Sequence, residues 1–168
     1  RLYSNAKKWE ENNGYNTVGG FMINLLEEIQ KVKGEGYSEA NAQARVCQDI
    51  ILYGIAKGNF SKNVTIKGGV VMRNISKNVR RATQDIDLDF IKYSISDESI
   101  RNFIDKLYLD EGIQIKIEKP IIELKHRDYQ GKRVFVEITD IHGNILDSKI
   151  DVGVHKDLDI RQEEYCFD

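Results

Sequence analysis

The stretch KGGVVMRNISKNVRRATQDIDLD, residues 67–89, gathers three kinds of chemistry in one short segment. Two adjacent glycines open it, four basic side chains fill its middle, and three aspartates at every second position close it. Basic groups can hold a triphosphate while acids hold the metal that bridges it, which is the division of labour that phosphoryl transfer requires. The order of these parts therefore predicts a site for a nucleoside triphosphate and magnesium.

The acids alternate with apolar residues in QDIDLDF, residues 84–90, which is typical of a half-buried strand. Side chains two apart on a strand share a face, so Asp85, Asp87 and Asp89 are predicted to lie together. Their repulsion costs roughly 1 to 4 kcal/mol per pair at about 4 Å, and a hard divalent cation would remove it. Asp85 and Asp87 are the predicted metal ligands, whereas Asp89 lies at the far end of the strand. The alternative is the solvated face of an edge strand.

The glycines Gly68 and Gly69 follow a candidate strand and precede VVMRNIS, residues 70–76, a predicted short helix. Residues without a β-carbon let phosphate approach the backbone, and N–H groups at a helix start attract anions. Lys67 and Arg81 of the basic run are predicted to contact the phosphates. No Gly-Lys-Ser or Gly-Lys-Thr is present, so a P-loop is excluded. Taken singly, the glycines are also compatible with a tight turn, and the basic run with a solvated helix face.

A third acid is expected from another strand, and Asp151 in DSKIDVGV is the best candidate. It alternates with Ile150 and Val152, so it can lie on the face opposite those apolar neighbours. Together with Asp85 and Asp87 it would bind two metals roughly 3.5 to 4 Å apart. The alternative for Asp151 is an exposed strand acid.

Composition limits the classes of protein that remain. The chain has 25 basic and 27 acidic residues, which argues against a surface that binds nucleic acid everywhere but allows local contact with RNA ends. Its two cysteines, Cys47 and Cys166, have no metal-binding spacing, which favours reduced thiols and a cytoplasmic setting. No apolar run approaches the roughly 18 residues that a membrane span needs, so no membrane partner is expected.

Periodicity predicts two helices first, with Ser38 capping the second, then a strand, a short helix, a strand and a helix, and finally a meander of four strands. DIHGN, residues 140–144, is predicted to be a hairpin turn between the last two strands. The fold class is α+β with a mixed sheet. Residues 1–60 form a helical segment and residues 61–168 the core, and the two are expected to pack together. The start at Arg1 and the end at EEYCFD suggest a piece of a longer protein.

The segment KGGVVMRNIS followed by RRATQDIDLDF resembles the AbiEii/AbiGii nucleotidyltransferase toxins of bacterial abortive-infection and toxin–antitoxin systems. The residues that fit the family pattern, in order, are Lys67, Gly68, Gly69, Arg81, Thr83, Asp85, Ile86, Asp87 and Leu88. The resemblance implies a polymerase-β-like nucleotidyltransferase fold, a bound nucleoside triphosphate, and Mg²⁺ or Mn²⁺. It also implies nucleotide transfer to an acceptor, in some members the 3′ end of transfer RNA, and a cognate antitoxin. Thr83 then joins the nucleotide-binding residues.

Two departures from the family pattern accompany the match. Val70 stands where the family usually has Thr or Ser, which is expected to remove a hydroxyl near the phosphates. Family members usually continue into a C-terminal helical region, and nothing of that kind follows EEYCFD, so the piece is expected to depend on further sequence for activity.

Three hypotheses for function remain at this point. The first is an enzyme that transfers a nucleoside monophosphate to RNA or to a protein side chain. The second is a module that binds a nucleotide or an antitoxin without catalysis. The third, a metal-dependent nuclease, needs similar carboxylates but gives no reason for the diglycine and the basic run to precede them.

Overall fold

The computed structural model describes residues 22–71, 83–126 and 129–155. Three helices lie wholly within these ranges: α1 (Leu25–Gly34), α2 (Glu39–Lys57) and α3 (Asp97–Asp105). Each begins after a polar residue whose side chain accepts a hydrogen bond from a backbone N–H of the first turn, namely Asn24, Ser38 and Ser96. The predicted cap at Ser38 is thereby confirmed. None of the helices described is long and apolar enough to cross a membrane.

Within the described residues, six strands form one mixed sheet. They are β1 (Val64–Lys67), β2 (Ile86–Phe90), β3 (Gln114–Ile117), β4 (Ile122–His126), β5 (Tyr129–Thr139) and β6 (Ile145–Val154). The order across the sheet is β1-β2-β6-β5-β3, and β4 also pairs with β5. β2 and β6 run parallel, whereas the other pairs are antiparallel. The predicted α+β class with a mixed sheet is confirmed.

The C-terminal strands depart from the simple meander that periodicity predicted. β5 has 11 residues, so its edge accommodates two short strands one after the other. β4 pairs with residues 129–133 of β5 and β3 pairs with residues 136–139. β6 then pairs with β5 on one side and with β2 on the other, which links the end of the described chain to its middle.

One hydrophobic core joins the helices to the sheet. The inward side chains of β2, Ile86, Leu88 and Phe90, are fully buried, as is Phe103 of α3. The rings of Phe90 and Phe103 meet edge to face with their centres 5.0 Å apart. Burying each such side chain contributes about 1.5 to 3 kcal/mol. Because α1 and α2 supply residues to the same core, these two helices pack on the sheet. The division of the chain at residue 60 stays a prediction.

The predicted hairpin turn between β5 and β6 is confirmed, and we call residues 140–144 the Asp140 turn. Gly143 has a φ of +80°, a conformation that favours glycine. The Asp140 carboxylate accepts hydrogen bonds from the N–H groups of His142 and Asn144, both at 2.9 Å, and from the N–H of Leu25 at 2.8 Å. The turn therefore fixes the first residue of α1 to the sheet.

Candidate active site

Asp87 of β2 and Asp151 of β6 lie opposite each other on neighbouring strands. The parallel register pairs Asp87 with Asp151, and neighbouring strands are about 4.8 Å apart. The residues that directly precede Asp87 and Asp151, Ile86 and Ile150, are fully buried on the core side. Asp85, Asp87 and Asp151 therefore share the opposite side of the sheet, which we call the site face. The structure brings the three predicted acids together, and their role as metal ligands stays a prediction.

The clustering of the acids changes the pKa of Asp87. Partial burial raises the pKa of Asp87 above its ordinary value, and the nearby carboxylates of Asp151 and Asp85 raise it further. The cations Lys67 and Arg133 lower it and offset only part of the rise. A carboxyl group that is held beside two others is disfavoured in its charged form.

Two basic residues of the site face pair with the flanking acids. The guanidinium group of Arg133 on β5 donates two hydrogen bonds to the carboxylate of Asp151, at 2.8 and 3.0 Å. The ammonium group of Lys149 lies 3.2 Å from a carboxylate oxygen of Asp85. Sequence reasoning singled out neither cation. Strand alternation could have found Lys149, two residues before Asp151, but Arg133 reaches the site through strand register, which no local pattern reveals.

The diglycine turn lies against the acids. Gly68 has a φ of +73°, and a β-carbon added to it would come within 2.5 Å of the Oδ2 atom of Asp87. A β-carbon on Gly69 would come within 2.6 Å of the Cβ of Thr83. Residues 69–71 are helical, so the glycines stand where β1 passes into helix. Any larger residue at either position would collide with a predicted site residue.

Lys67 ends β1 on the same side of the sheet. Its ammonium nitrogen lies 2.5 Å from a carboxylate oxygen of Asp89. Asp89 is thus paired with a cation, as Asp85 and Asp151 are, and its exclusion from the predicted ligands stays a prediction. Lys67 also lies opposite Asp87 in the antiparallel register of β1 and β2, so its charge is close to the predicted metal ligands.

Two further sequence expectations have different outcomes. Arg81, predicted to contact phosphate, lies outside the described residues, as does most of the basic run. Val70 is fully buried and belongs to the hydrophobic core. The side chain of Val70 thus packs in the core, and its effect on phosphate binding stays a prediction.

A second acidic group, which sequence reasoning missed, lies on the same side of the sheet. Carboxylate oxygens of Glu118, Glu137 and Asp147 lie within 4.8 Å of one another. Asp147 precedes Asp151 by four residues on β6, which is about 13 Å along a strand. Lys116 binds Glu137 at 2.9 Å and lowers the pKa of its carboxyl, whereas the hydrogen bond with Glu137 raises the pKa of Glu118. The two carboxyl groups are therefore shifted in opposite directions, with Glu137 favoured in its charged form and Glu118 disfavoured in it.

The mixed sheet, the diglycine turn and the acids on two parallel strands are the features of an α+β nucleotidyltransferase. The family described as nucleotidyl transferase AbiEii toxin, Type IV TA system, matches residues 50–165. The chain belongs to this family of toxins from type IV toxin–antitoxin systems. No curated protein matches the chain.

Proposed function

We propose that this protein transfers a nucleoside monophosphate from a nucleoside triphosphate to an acceptor hydroxyl, with the 3′ end of transfer RNA as the first acceptor to test and a protein side chain as the second. The reaction joins the acceptor oxygen to the α-phosphorus and releases pyrophosphate. The support comes from one observation: Asp87 and Asp151 occupy the same register on parallel strands, with the diglycine turn packed against Asp87.

The donor set fits magnesium or manganese. Hard divalent cations prefer carboxylate oxygens. Asp85, Asp87 and Asp151 lie on one side of the sheet, close enough for the other two acids to raise the pKa of Asp87. Their oxygens do not all lie within 4.8 Å of one another, so binding of a metal would draw them closer. Asp85, Asp87 and Asp151 would hold the metal, which supplies charge neutralisation for the triphosphate and the acceptor oxygen. These residues therefore remain the proposed catalytic and metal-binding set.

The chain's own groups have separate tasks in this proposal. Gly68 and Gly69 carry no side chain, which allows Asp87 and Thr83 to pack against the diglycine turn. The backbone of that turn is proposed to contact the triphosphate. Lys67, Arg81 and Thr83 are proposed to contact the nucleotide, and the sequence order of these residues supports that assignment. Arg133 and Lys149 hold the carboxylates of Asp151 and Asp85 in place, and each can turn towards phosphate oxygens when a metal takes over the acid.

The biological setting follows from the family. A toxin of this class acts inside the cell that makes it and is restrained by a cognate antitoxin, so we propose the cytoplasm as its compartment and abortive infection as its context. Residues 61–168 are proposed as the nucleotidyltransferase core, with the helical segment of residues 1–60 packed on it.

The test uses the full-length natural protein with transfer RNA, magnesium and each triphosphate in turn, labelled at the α-phosphate. We expect label in RNA with at least one triphosphate. The double variant Asp85→Asn with Asp87→Asn should lose at least about a thousandfold in rate, because the acids would no longer hold the metal. Circular dichroism checks that the fold is kept.

The matched control is Glu137→Gln with Asp147→Asn, which removes two acids from the second acidic group on the same side of the sheet. We expect this control to keep its rate within about threefold, since these acids lie far from the diglycine turn. The reverse pattern would assign the metal to the second acidic group and contradict the proposal. Nucleotide binding without any labelled RNA or protein would favour the binding module, and shortened RNA would favour a nuclease.

A further inference from the structure

Gln48 of α2 is a polar side chain in the middle of the core. It is fully buried, and its neighbours along the helix, Cys47 and Ile51, are buried as well. A buried amide costs free energy unless it is hydrogen-bonded. The Nε2 group of Gln48 donates a hydrogen bond of 2.7 Å to the backbone carbonyl of Thr83. Gln48 thus connects the helical segment to the loop that leads into β2.

Thr83 stands between the two halves of the site. Its Cβ is so close to Gly69 that a β-carbon there would approach to 2.6 Å. Its hydroxyl oxygen accepts a hydrogen bond of 3.4 Å from the backbone N–H of Asp85. A shift of Thr83 would therefore move both the diglycine turn and the start of the acidic strand.

We propose that Gln48 is a positioning residue for the active site: its buried amide fixes Thr83, and Thr83 sets the spacing between the diglycine turn and Asp85. This inference rests on the proposed function, because the spacing matters only if the turn and the acids act on one substrate. Gln48 would touch neither the nucleotide nor the metal. Catalytic groups must be held close to their productive geometry, and a displacement of about 1 Å can cost about a hundredfold in rate.

The decisive variant is Gln48→Met, which keeps the length of the side chain but removes the amide. We expect backbone N–H groups of residues 83–86 to exchange with deuterium at least about tenfold faster, because the loop loses its fixed point. Exchange in β3, at the opposite edge of the sheet, should stay unchanged. The control Ile55→Ala removes a buried side chain from the same helix face. We expect it to lower the melting temperature at least as much as Gln48→Met does, without accelerating exchange at residues 83–86.

Activity provides the second measurement. With the natural protein and the triphosphate that labels RNA best, Gln48→Met should lower kcat by about 10- to 100-fold and change the KM for the triphosphate by less than about threefold. Ile55→Ala should keep kcat within about twofold. Unchanged exchange at residues 83–86 in Gln48→Met, or an equal loss of kcat in both variants, would overturn the positioning role.

The two proposals fail separately in these experiments. If the unaltered protein transfers no label to any acceptor, the proposed function fails, and hydrogen exchange still decides whether Gln48 fixes the loop. If the unaltered protein is active and Gln48→Met matches it in both kcat and exchange, the proposed function stands and the positioning role is refuted.

Discussion

Asp140 and Asp87 are the same residue type in one small sheet domain, but their surroundings are opposite. The carboxylate of Asp140 accepts hydrogen bonds from three backbone N–H groups and from the side-chain amide of Asn144. Burial raises its pKa, but these donors outweigh burial and lower the pKa below its ordinary value. Asp87 is only half-buried, but it faces Asp151 and Asp85, and its pKa is raised.

The difference separates a carboxylate that stabilises the fold from one that costs stability. A group whose charged form is satisfied by donors contributes to folding, whereas acids gathered without enough cations oppose it. Arrangements that work against stability are the ones to examine for function. The Asp140 turn therefore has a structural explanation, and the site face requires a chemical one.

The largest effect on stability is expected at the Asp140 turn. Asp140→Ala should lower the free energy of unfolding by about 2 to 4 kcal/mol, because it leaves the buried N–H of Leu25 and the part-buried N–H groups of His142 and Asn144 without an acceptor. Urea denaturation at pH 7 measures the change. The exposed Asp105→Ala serves as the control and should change the free energy by less than about 0.5 kcal/mol.

The contribution of Asp140 should also depend on pH. Because its folded pKa is lowered, the stability it supplies is present above the ordinary value of 3.8 and is lost as the pH falls through the lower, folded value. The difference in free energy of unfolding between the unaltered protein and Asp140→Ala should therefore become smaller below pH 3.8. If this difference stayed constant to lower pH, the protonated carboxyl group of Asp140 would stabilise the turn as well as the charged form does.

An intermediate effect is expected for Arg133→Met. Without the positive charge of Arg133, the repulsion between the carboxylates of Asp151 and Asp87 is less well compensated. The free energy of unfolding in metal-free buffer should therefore fall by about 1 kcal/mol. Arg133→Lys keeps the positive charge, and its free energy of unfolding should fall by a smaller amount. Magnesium should restore most of the loss in Arg133→Met, and a loss that magnesium leaves unchanged would argue against a metal among these acids.

The smallest effect is expected for Asp87→Asn, and its sign is opposite to that at Asp140. The folded pKa of Asp87 is raised, so its carboxyl favours folding while it is protonated and this contribution is lost as the pH rises through the folded pKa. In metal-free buffer, Asp87→Asn should therefore be more stable than the unaltered protein at pH 7, by on the order of 0.5 kcal/mol.

The same variant also tests metal binding without any assay of activity. The higher stability of Asp87→Asn should disappear below the ordinary pKa of 3.8, where the side chains of Asp87 and of the substituted Asn are both neutral. Added magnesium should stabilise the unaltered protein and should stabilise Asp87→Asn less. If magnesium stabilised the unaltered protein and Asp87→Asn equally, the metal would bind at another site, and the second acidic group is the first alternative.

Much of the fold could be predicted because its signals are local. The cap at Ser38, the turn with Gly143 and the alternation of Asp87 with buried neighbours each depend on residues close together in the chain. The burial of Val70 could not be predicted, because this residue stands where a strand passes into a helix and the direction of its side chain depends on the first helical turn. The predicted meander holds for β4, β5 and β6, but β3 pairs with β5 and not with β4, because periodicity identifies strands but does not order them.

The sequence by itself determined the types of element, the caps and turns, and which acids share a face of their own strand, because backbone geometry repeats every few residues. Tertiary structure alone decided that β6 lies beside β2, so that Asp151 meets Asp87, that Arg133 reaches Asp151, and that Gln48 reaches Thr83. These pairings join distant parts of the chain. They are selected by burial of the apolar faces in one common core, which no short segment specifies.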